Sequence, residues 1–317
     1  MKKIISILLC ILLTVLAFSS CNNRENQDKD EKQTEVFETE GVETLQESPA
    51  DDFYVSNLDD GTVSVAYKGK SENVIIPKQI DGKTVSAISL DGFTYSRAFL
   101  KNVVLPDTIT MIGNNAFKDC SLLESINFPK SLTKIGSSAF MNCTSLKQVE
   151  IYSDCLSDLS SNAFGYSGIE TLVLSEGVTQ IPDGCFGATK ISKVELPSTV
   201  KTIGWQAFGA CEALETVVLN DGLVSIGLKA FVNNVKLKQI VIPKTVTAVD
   251  EMVFSGCESL ERVEFLGNAP STYEHPEAAL YPDLFKPVNA DYTVYYHQNA
   301  SGFTSPEWYG YPTQILP

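Results

Sequence analysis

Hydrophobic positions recur along this chain with a single period between about residue 85 and residue 266. In each period aliphatic residues alternate with polar ones over a short stretch, and an Ile-Gly pair then precedes an Ala-Phe pair. Repetition at such a period is typical of solenoids, in which each unit stacks on the next. The phenylalanines that mark the units are 22 to 24 residues apart: Phe93, Phe117, Phe140, Phe164, Phe186, Phe208, Phe231 and Phe254.

The alternation within each unit predicts one short strand. Around residue 217 it points Val217 inward and Val218 outward, because successive side chains of a strand face opposite sides. The Ile-Gly segment, as in Lys201-Thr-Ile-Gly-Trp-Gln-Ala-Phe208, is predicted to turn across the back of the coil, and the Ala-Phe pair to fill the core. A unit of this size cannot bury its own apolar face, so neighbouring units must stack.

The repeated Ile-Gly-x-x-Ala-Phe-x-x-Cys-x-x-Leu-x-x-Val-x-Leu-Pro unit resembles the BspA-like subclass of bacterial leucine-rich-repeat proteins. The resemblance implies a leucine-rich-repeat solenoid of about eight units over residues 85–266. Such a solenoid is a right-handed coil of short parallel strands with turns or short helical segments on its back. Family members often have adhesive or protein-binding roles at the cell surface, which implies a non-catalytic binding scaffold here.

The fourth and fifth units depart most from this pattern. Ser160-Ser161 and Pro182 replace the Ile-Gly turn, and Cys185 replaces the alanine before phenylalanine. We expect irregular coils there and no domain break.

Both ends of a solenoid need caps, because a terminal coil exposes an apolar cross-section. Over residues 53–84 we predict an N-terminal β cap, in which segments 53–55 and 63–65 form a hairpin and segment 74–77 a degenerate first strand. Residues 267–317 break the repeat, and we predict an irregular C-terminal cap with one strand at 292–296.

The first twenty residues have the pattern of a secretory signal peptide. Two lysines precede an apolar run over residues 4–18, which is shorter than the roughly 20 residues of a bilayer-spanning helix. Ser19-Ser20-Cys21 resembles the lipobox of bacterial lipoproteins, which implies diacylglycerol on Cys21. An ordinary cleaved signal is the alternative. We therefore expect an exported protein, lipid-anchored at the bacterial cell surface or outer envelope, that touches the membrane only through this anchor.

Residues 21–52 are predicted to be a disordered acidic tether. Eleven acidic and three basic residues in this stretch account for more than half of the net charge of −15. Few aromatic or branched side chains are present to offset the entropy of ordering. Net negative charge argues against nucleic acids and anionic membrane surfaces as partners.

Four cysteines occupy one repeat position, three residues after the phenylalanine: Cys120, Cys143, Cys211 and Cys257. Ser167, Thr189 and Asn234 hold the same position in other units, which favours a column of small side chains that bond neighbouring backbone. Buried free thiols are therefore the first interpretation. A disulfide in an exported chain, or a metal or catalytic role, stays as the alternative.

No catalytic, cofactor or metal constellation is visible in the sequence. The two histidines, His275 and His297, lie in the C-terminal cap without a second histidine at helical spacing. An extracellular protein is the expected partner. The alternative is a glycan-binding accessory protein, and an enzyme in the non-repeat tail is a third, more remote one. The glycan alternative rests on the cap aromatics: Tyr273, Tyr281, Tyr292, Tyr295, Tyr296, Trp308, Tyr309 and Tyr311.

Trp205 and Leu228 are the candidate partner contacts. They occupy the same outward position between Gly and Ala-Phe on consecutive coils, so we expect one exposed apolar patch. Tryptophan is enriched among interface hot spots. In the alternative interpretation Trp205 fills space over the irregular fifth coil near Gly184.

Overall fold

A computed structural model describes residues 46–271 and 293–317 of this chain. The predicted signal peptide, Cys21 and most of the predicted tether lie outside the described residues. The described residues belong to one compact unit. The fourth and fifth repeat units lie inside that unit and cause no domain break, as predicted.

The predicted solenoid of short parallel strands is confirmed, with about 10 turns. Successive coils each place one strand on the same side of the solenoid, and we call the surface that these strands form the strand face; the strands pair in four separate groups. Val217 is buried and Val218 exposed there, as the alternation predicts. The strands of this face are β3 (Asn73–Ile75), β6 (Asn102–Val104), β8 (Ser125–Ile126), β10 (Gln148–Ile151), β12 (Thr171–Leu174), β14 (Lys193–Glu195), β16 (Thr216–Val218), β18 (Gln239–Ile242), β20 (Arg262–Phe265), β21 (Thr293–His297) and β23 (Tyr311–Leu316).

Most coils also contain a second strand, and within the repeat it lies in the segment that the sequence predicted to be a turn. The residue pair that ends in the isoleucine of Ile-Gly pairs in parallel with its counterpart on the next coil, for example Ile203 with Ile226. Two residues give too short an alternation to be recognised as a strand. These second-sheet strands are β2 (Val63–Tyr67), β5 (Lys83–Ile88), β7 (Met111–Ile112), β9 (Lys134–Ile135), β11 (Asp158–Leu159), β13 (Gln180–Ile181), β15 (Thr202–Ile203), β17 (Ser225–Ile226) and β19 (Ala248–Val249).

The second sheet is interrupted between β11 and β13, in the irregular fourth and fifth units. In regular coils the residue after the strand donates its N–H to the previous coil, as Gly204 does to the Ile181 carbonyl at 2.7 Å. Pro182 has no N–H to donate at this position. The proline therefore accounts for the expected irregularity.

Helical structure is almost absent from the described part of the chain. Its one helical element is the short 3-10 segment Ala50–Asp52. The sequence left open whether turns or short helical segments form the back of the coil. In the described residues the back consists of turns and the second sheet.

The repeat phenylalanines form a continuous stack through the core. All eight are fully buried, and successive rings from Phe93 to Phe254 lie 4.5 to 5.9 Å apart between centroids. The stack continues into the N-terminal region, where Tyr67 packs on Phe93 at 5.6 Å. Offset or parallel aromatic pairs add to the burial energy, so this column joins all the coils into one core.

Each end of the solenoid is closed by a short antiparallel element. At the N-terminus β1 (Phe53–Asn57) pairs antiparallel with β2, which confirms the predicted hairpin, and β4 (Gln79–Ile80) pairs with β5. At the C-terminus β22 (Glu307–Trp308) covers part of β23. The C-terminal region is more regular than predicted, because β21 and β23 both extend the strand face in parallel.

Candidate binding surface

The segments around the Ala-Phe pairs are joined by a third ladder of backbone hydrogen bonds. The Ala and Phe side chains point into the core, and we call the outer surface of these segments the Ala-Phe face. In the sixth unit it comprises residues 205–210. Alternate residues donate to the next coil, as Phe208 N does to the Ala230 carbonyl at 2.9 Å and Ala210 N to the Val232 carbonyl at 2.7 Å. Since its backbone is tied from coil to coil, side chains on this face are presented by a rigid support.

Trp205 and Leu228 lie on adjacent coils of the Ala-Phe face. The Trp205 side chain is 45% exposed, whereas Leu228 is half-buried. The Trp205 backbone is fixed on one side, where its N–H donates to Asp183 Oδ1 at 2.7 Å and its carbonyl accepts from Gly184 N at 2.7 Å. Gly184 thus contacts the Trp205 backbone, and nearly half of the side-chain surface remains open to a partner.

Two further exposed aromatic side chains on this face were not singled out from the sequence. Tyr95 and Tyr166 are 72% and 56% exposed. Each follows a repeat phenylalanine by two residues, and this shared register is the signal that could have identified them. Exposed aromatic side chains therefore lie on the Ala-Phe face at both ends of its first four units.

The strand face carries mixed charges and small apolar patches. Lys147 Nζ pairs with Glu170 Oε1 at 3.3 Å across adjacent coils, and both side chains are about half exposed. Such exposed pairs stabilise a fold by at most about 1 kcal/mol. Val218 and Val241 are exposed on neighbouring strands. This face offers no single dominant charge to attract a partner.

The cysteine position forms an internal column, as predicted. Cys143 Sγ donates to the Phe117 carbonyl of the preceding coil at 3.2 Å, and Cys257 Sγ to the Phe231 carbonyl at 3.1 Å. Asn234 makes the equivalent bond through Nδ2 to the Phe208 carbonyl at 3.1 Å. The side chain at this position therefore adds a hydrogen bond to a buried backbone carbonyl of the preceding coil.

The described cysteines are free thiols, and burial makes those of the column unreactive. Cys120, Cys143, Cys185, Cys211 and Cys257 are unpaired and buried, and Cys155 is unpaired and exposed. Burial raises the pKa of the Cys120 and Cys257 thiols to about 12. The thiolate is the reactive form, so these positions serve packing and hydrogen bonding.

Comparison with known proteins decides the family. The BspA type Leucine rich repeat region, in six copies, matches residues 86–211 and 179–275. The chain belongs to the BspA-type leucine-rich-repeat family. Together the two matched segments cover more than half of the sequence, including every repeat phenylalanine.

Solved structures of bacterial leucine-rich-repeat proteins resemble this BspA-type chain. A leucine-rich repeat protein from Bacteroides ovatus has a TM-score of 0.55 at 21% identity, over 84% of this chain and 75% of that one. The T. pallidum leucine-rich repeat protein is 26% identical over 71% of this chain and 84% of its own, with a TM-score of 0.37. A leucine rich cell surface protein from Faecalibacterium prausnitzii is 20% identical, covers 71% and 89% of the two chains and has a TM-score of 0.36. A search of curated proteins finds no match.

Two of the five described tyrosine and tryptophan residues of the C-terminal cap are buried in packing. Tyr296 and Trp308 are buried around Phe303, with ring centroids 4.6 and 4.8 Å from it. Tyr295 is half-buried beneath the Arg262 guanidinium, 3.8 Å from its ring centroid, and Tyr309 is exposed. Tyr311 is half-buried. Tyr273, Tyr281 and Tyr292 lie outside the described residues.

The described histidine of this BspA-type solenoid, His297, lies near the C-terminus. His297 Nε2 lies 3.4 Å from Glu264 Oε1, and its Nδ1 lies 3.0 Å from the Pro317 carbonyl oxygen; His275 lies outside the described residues. Residues 46–271 and 293–317 contain no group of three histidine, cysteine or acidic side chains placed to hold a metal ion. In the same part of the chain no helix has the length and apolarity needed to cross a membrane.

Proposed function

We propose that this chain is an exported lipoprotein, attached to the bacterial surface through Cys21, whose solenoid binds an extracellular protein without catalysis. The observation that carries the proposal is the half-exposed Trp205 beside Leu228 on a rigid surface. Family membership supports it, because the BspA-type resemblance implies adhesive or protein-binding roles. The lipobox-like Ser19-Ser20-Cys21 sequence supports the anchor.

The energetics of the Ala-Phe face favour this use. Trp205 can bury the exposed part of a large ring on binding, and Leu228 can extend the apolar contact. The support does not have to rearrange, since each coil is bonded to the next. Rigid aromatic anchors lose little conformational entropy on association, which is why they dominate interface energies.

The test compares two exposed aromatic side chains on different surfaces. Proteins captured from extracellular material by the full chain are identified by mass spectrometry, and the affinity of the purified partner is then measured for each variant. Trp205→Ala is expected to weaken binding by at least ~1 kcal/mol, about fivefold, and to leave the melting temperature nearly unchanged. Tyr152→Ala is the matched control, because Tyr152 is 52% exposed and lies next to the strand face.

Two other outcomes of these measurements would contradict the proposed contact at Trp205. If Trp205→Ala lowers the melting temperature strongly and leaves the affinity intact, Trp205 is a packing residue. Equal weakening by Tyr152→Ala would show that the assay responds to surface aromatic residues in general.

A further inference from the structure

An open groove lies at the N-terminal end of the Ala-Phe face, and its lining contains one aromatic residue, Tyr95. Its volume is about 550 Å³, within the range of roughly 300–1,000 Å³ found for small-molecule sites. Its walls are built by Tyr95 and Leu90, which are 72% and 62% exposed. Tyr54 on β1 extends the Tyr95 wall, with the two ring centroids 6.5 Å apart and the ring planes tilted by 57°.

The polar part of the groove is balanced in charge. Arg97 and Lys118 face Asp91 and Asp119, and Asn115 adds an amide. The nearest approach between the charged groups is 4.0 Å, from Arg97 Nη1 to Asp119 Oδ2. At that distance the guanidinium keeps donors free for a ligand. A lining with two positive and two negative groups disfavours both a strongly anionic and a strongly cationic ligand.

Several groups of the groove are held in place from outside it. Asp119 Oδ1 accepts a hydrogen bond from Asn142 Nδ2 of the next coil at 2.7 Å. The Lys68 ammonium lies 4.8 Å above the Tyr54 ring. The backbone of Asp91 donates to the Asn114 carbonyl at 3.0 Å. These parts of the groove therefore need little ordering before a ligand binds, which lowers the entropic cost of association.

Backbone conformation explains why some positions of the groove hold Asp or Asn, but it does not explain the other residues. Asp91, Asn115 and Asp119 have φ between 54° and 61°, a left-handed conformation that Asp and Asn tolerate well. Neither Tyr95 nor Arg97 occupies such a conformation. Their side chains are also largely exposed, so neither is needed to fill the core. These two residues are the part of the groove that points to a ligand.

We propose that this groove binds a short stretch of a neutral oligosaccharide. A sugar ring offers a C–H face that can lie on the electron-rich face of Tyr95 or Tyr54, and a rim of hydroxyl groups that both donate and accept. The carboxylates accept from such hydroxyls, and Arg97, Lys118 and Asn115 donate to them. An apolar peptide segment would leave these groups without partners, which costs affinity.

The site is independent of Trp205, which lies on the sixth repeat unit, whereas Tyr95 lies on the first. The experiment applies the full chain, purified in detergent, to an array of neutral hexose and N-acetylhexosamine oligomers and of sulfated oligomers. Titration calorimetry then measures the strongest neutral oligomer against wild type, Tyr95→Ala, Arg97→Ala and Tyr166→Ala. Tyr166 is the matched control, because it holds the same register position on the fourth unit and is exposed outside the groove.

Wild type is expected to retain neutral oligomers, and Tyr95→Ala and Arg97→Ala are each expected to weaken binding at least about fivefold. Tyr166→Ala is expected to stay within about twofold of wild type. Absence of binding to every neutral oligomer, binding confined to sulfated ones, or unchanged affinity in both groove variants would overturn the proposal. Trp205→Ala is expected to bind the oligomer normally and to lose the protein partner, so failures at the two surfaces are distinguishable.

Discussion

Removing one ring from the phenylalanine stack tests whether the solenoid is held together by that column. Phe164 is fully buried, with Phe140 and Phe186 stacked on its two sides at 5.0 and 5.5 Å and Phe128 against its edge at 6.2 Å. Phe→Ala in a core costs about 3–5 kcal/mol. Phe164→Ala breaks the stack in the middle, and the backbone ladders that fix the neighbouring coils limit their collapse into the cavity. We therefore expect the free energy of unfolding to fall by about 4–5 kcal/mol.

Urea denaturation followed by circular dichroism measures this loss. Phe164→Leu retains most of the volume and is expected to cost clearly less than Phe164→Ala. The matched surface control is Tyr166→Ala, two residues further along the same coil, for which we expect a change within about 0.5 kcal/mol. A loss below about 1 kcal/mol for Phe164→Ala would refute the reasoning, since it would mean that adjacent coils are held by their backbone ladders alone.

Two further predictions concern cysteines. In the native protein a thiol reagent is expected to modify Cys155 and to spare the buried thiols Cys120, Cys143, Cys185, Cys211 and Cys257, whose pKa values are raised by burial; denaturation should expose all six. A Cys120 to Cys143 bridge found by mass spectrometry would contradict the column geometry. Cys21→Ser is expected to move the protein from the membrane fraction to the soluble fraction, and unchanged partition would rule out lipidation at Cys21.

The repeat made most of the fold predictable. A buried phenylalanine at a constant interval fixes where each coil closes, and the alternation around Val217 fixes which side of each strand is buried. The second sheet was missed because most of its strands, such as Thr202–Ile203, are only two residues long. Their pairing depends on the adjacent coil, which no local pattern of two residues can reveal.

The candidate sites were less predictable than the fold. Trp205 could be placed in an outward column because the Gly-to-Ala-Phe spacing is constant, but its exposed fraction depends on how neighbouring coils pack. The Tyr95 groove combines the first and second repeat units with Ala66 of β2. The repeat places the two units side by side, but Ala66 lies outside the repeat, so only the folded chain brings all of these residues together.

One position of the buried cysteine column holds a residue that is less favourable there than cysteine. Asn234 is completely buried, and its Nδ2 donates to the Phe208 carbonyl at 3.1 Å. Its Oδ1 is buried too and has no hydrogen-bond partner among the described residues. An unsatisfied buried acceptor costs about 1–3 kcal/mol. At the next position of the column, Cys257 Sγ donates to the Phe231 carbonyl at 3.1 Å and introduces no carbonyl of its own.

Asn234→Cys should therefore keep the bond to the Phe208 carbonyl and remove the unsatisfied oxygen. We expect the free energy of unfolding to rise by about 1 kcal/mol, measured by urea denaturation under reducing conditions. Asn234→Ala is the comparison, because it removes the same oxygen but also takes the donor away from the Phe208 carbonyl, and it leaves a small cavity. It should be less stable than Asn234→Cys by about 1–3 kcal/mol. If both variants are destabilised equally, the thiol does not replace the amide donor, and the preference for cysteine in this column must come from its size alone.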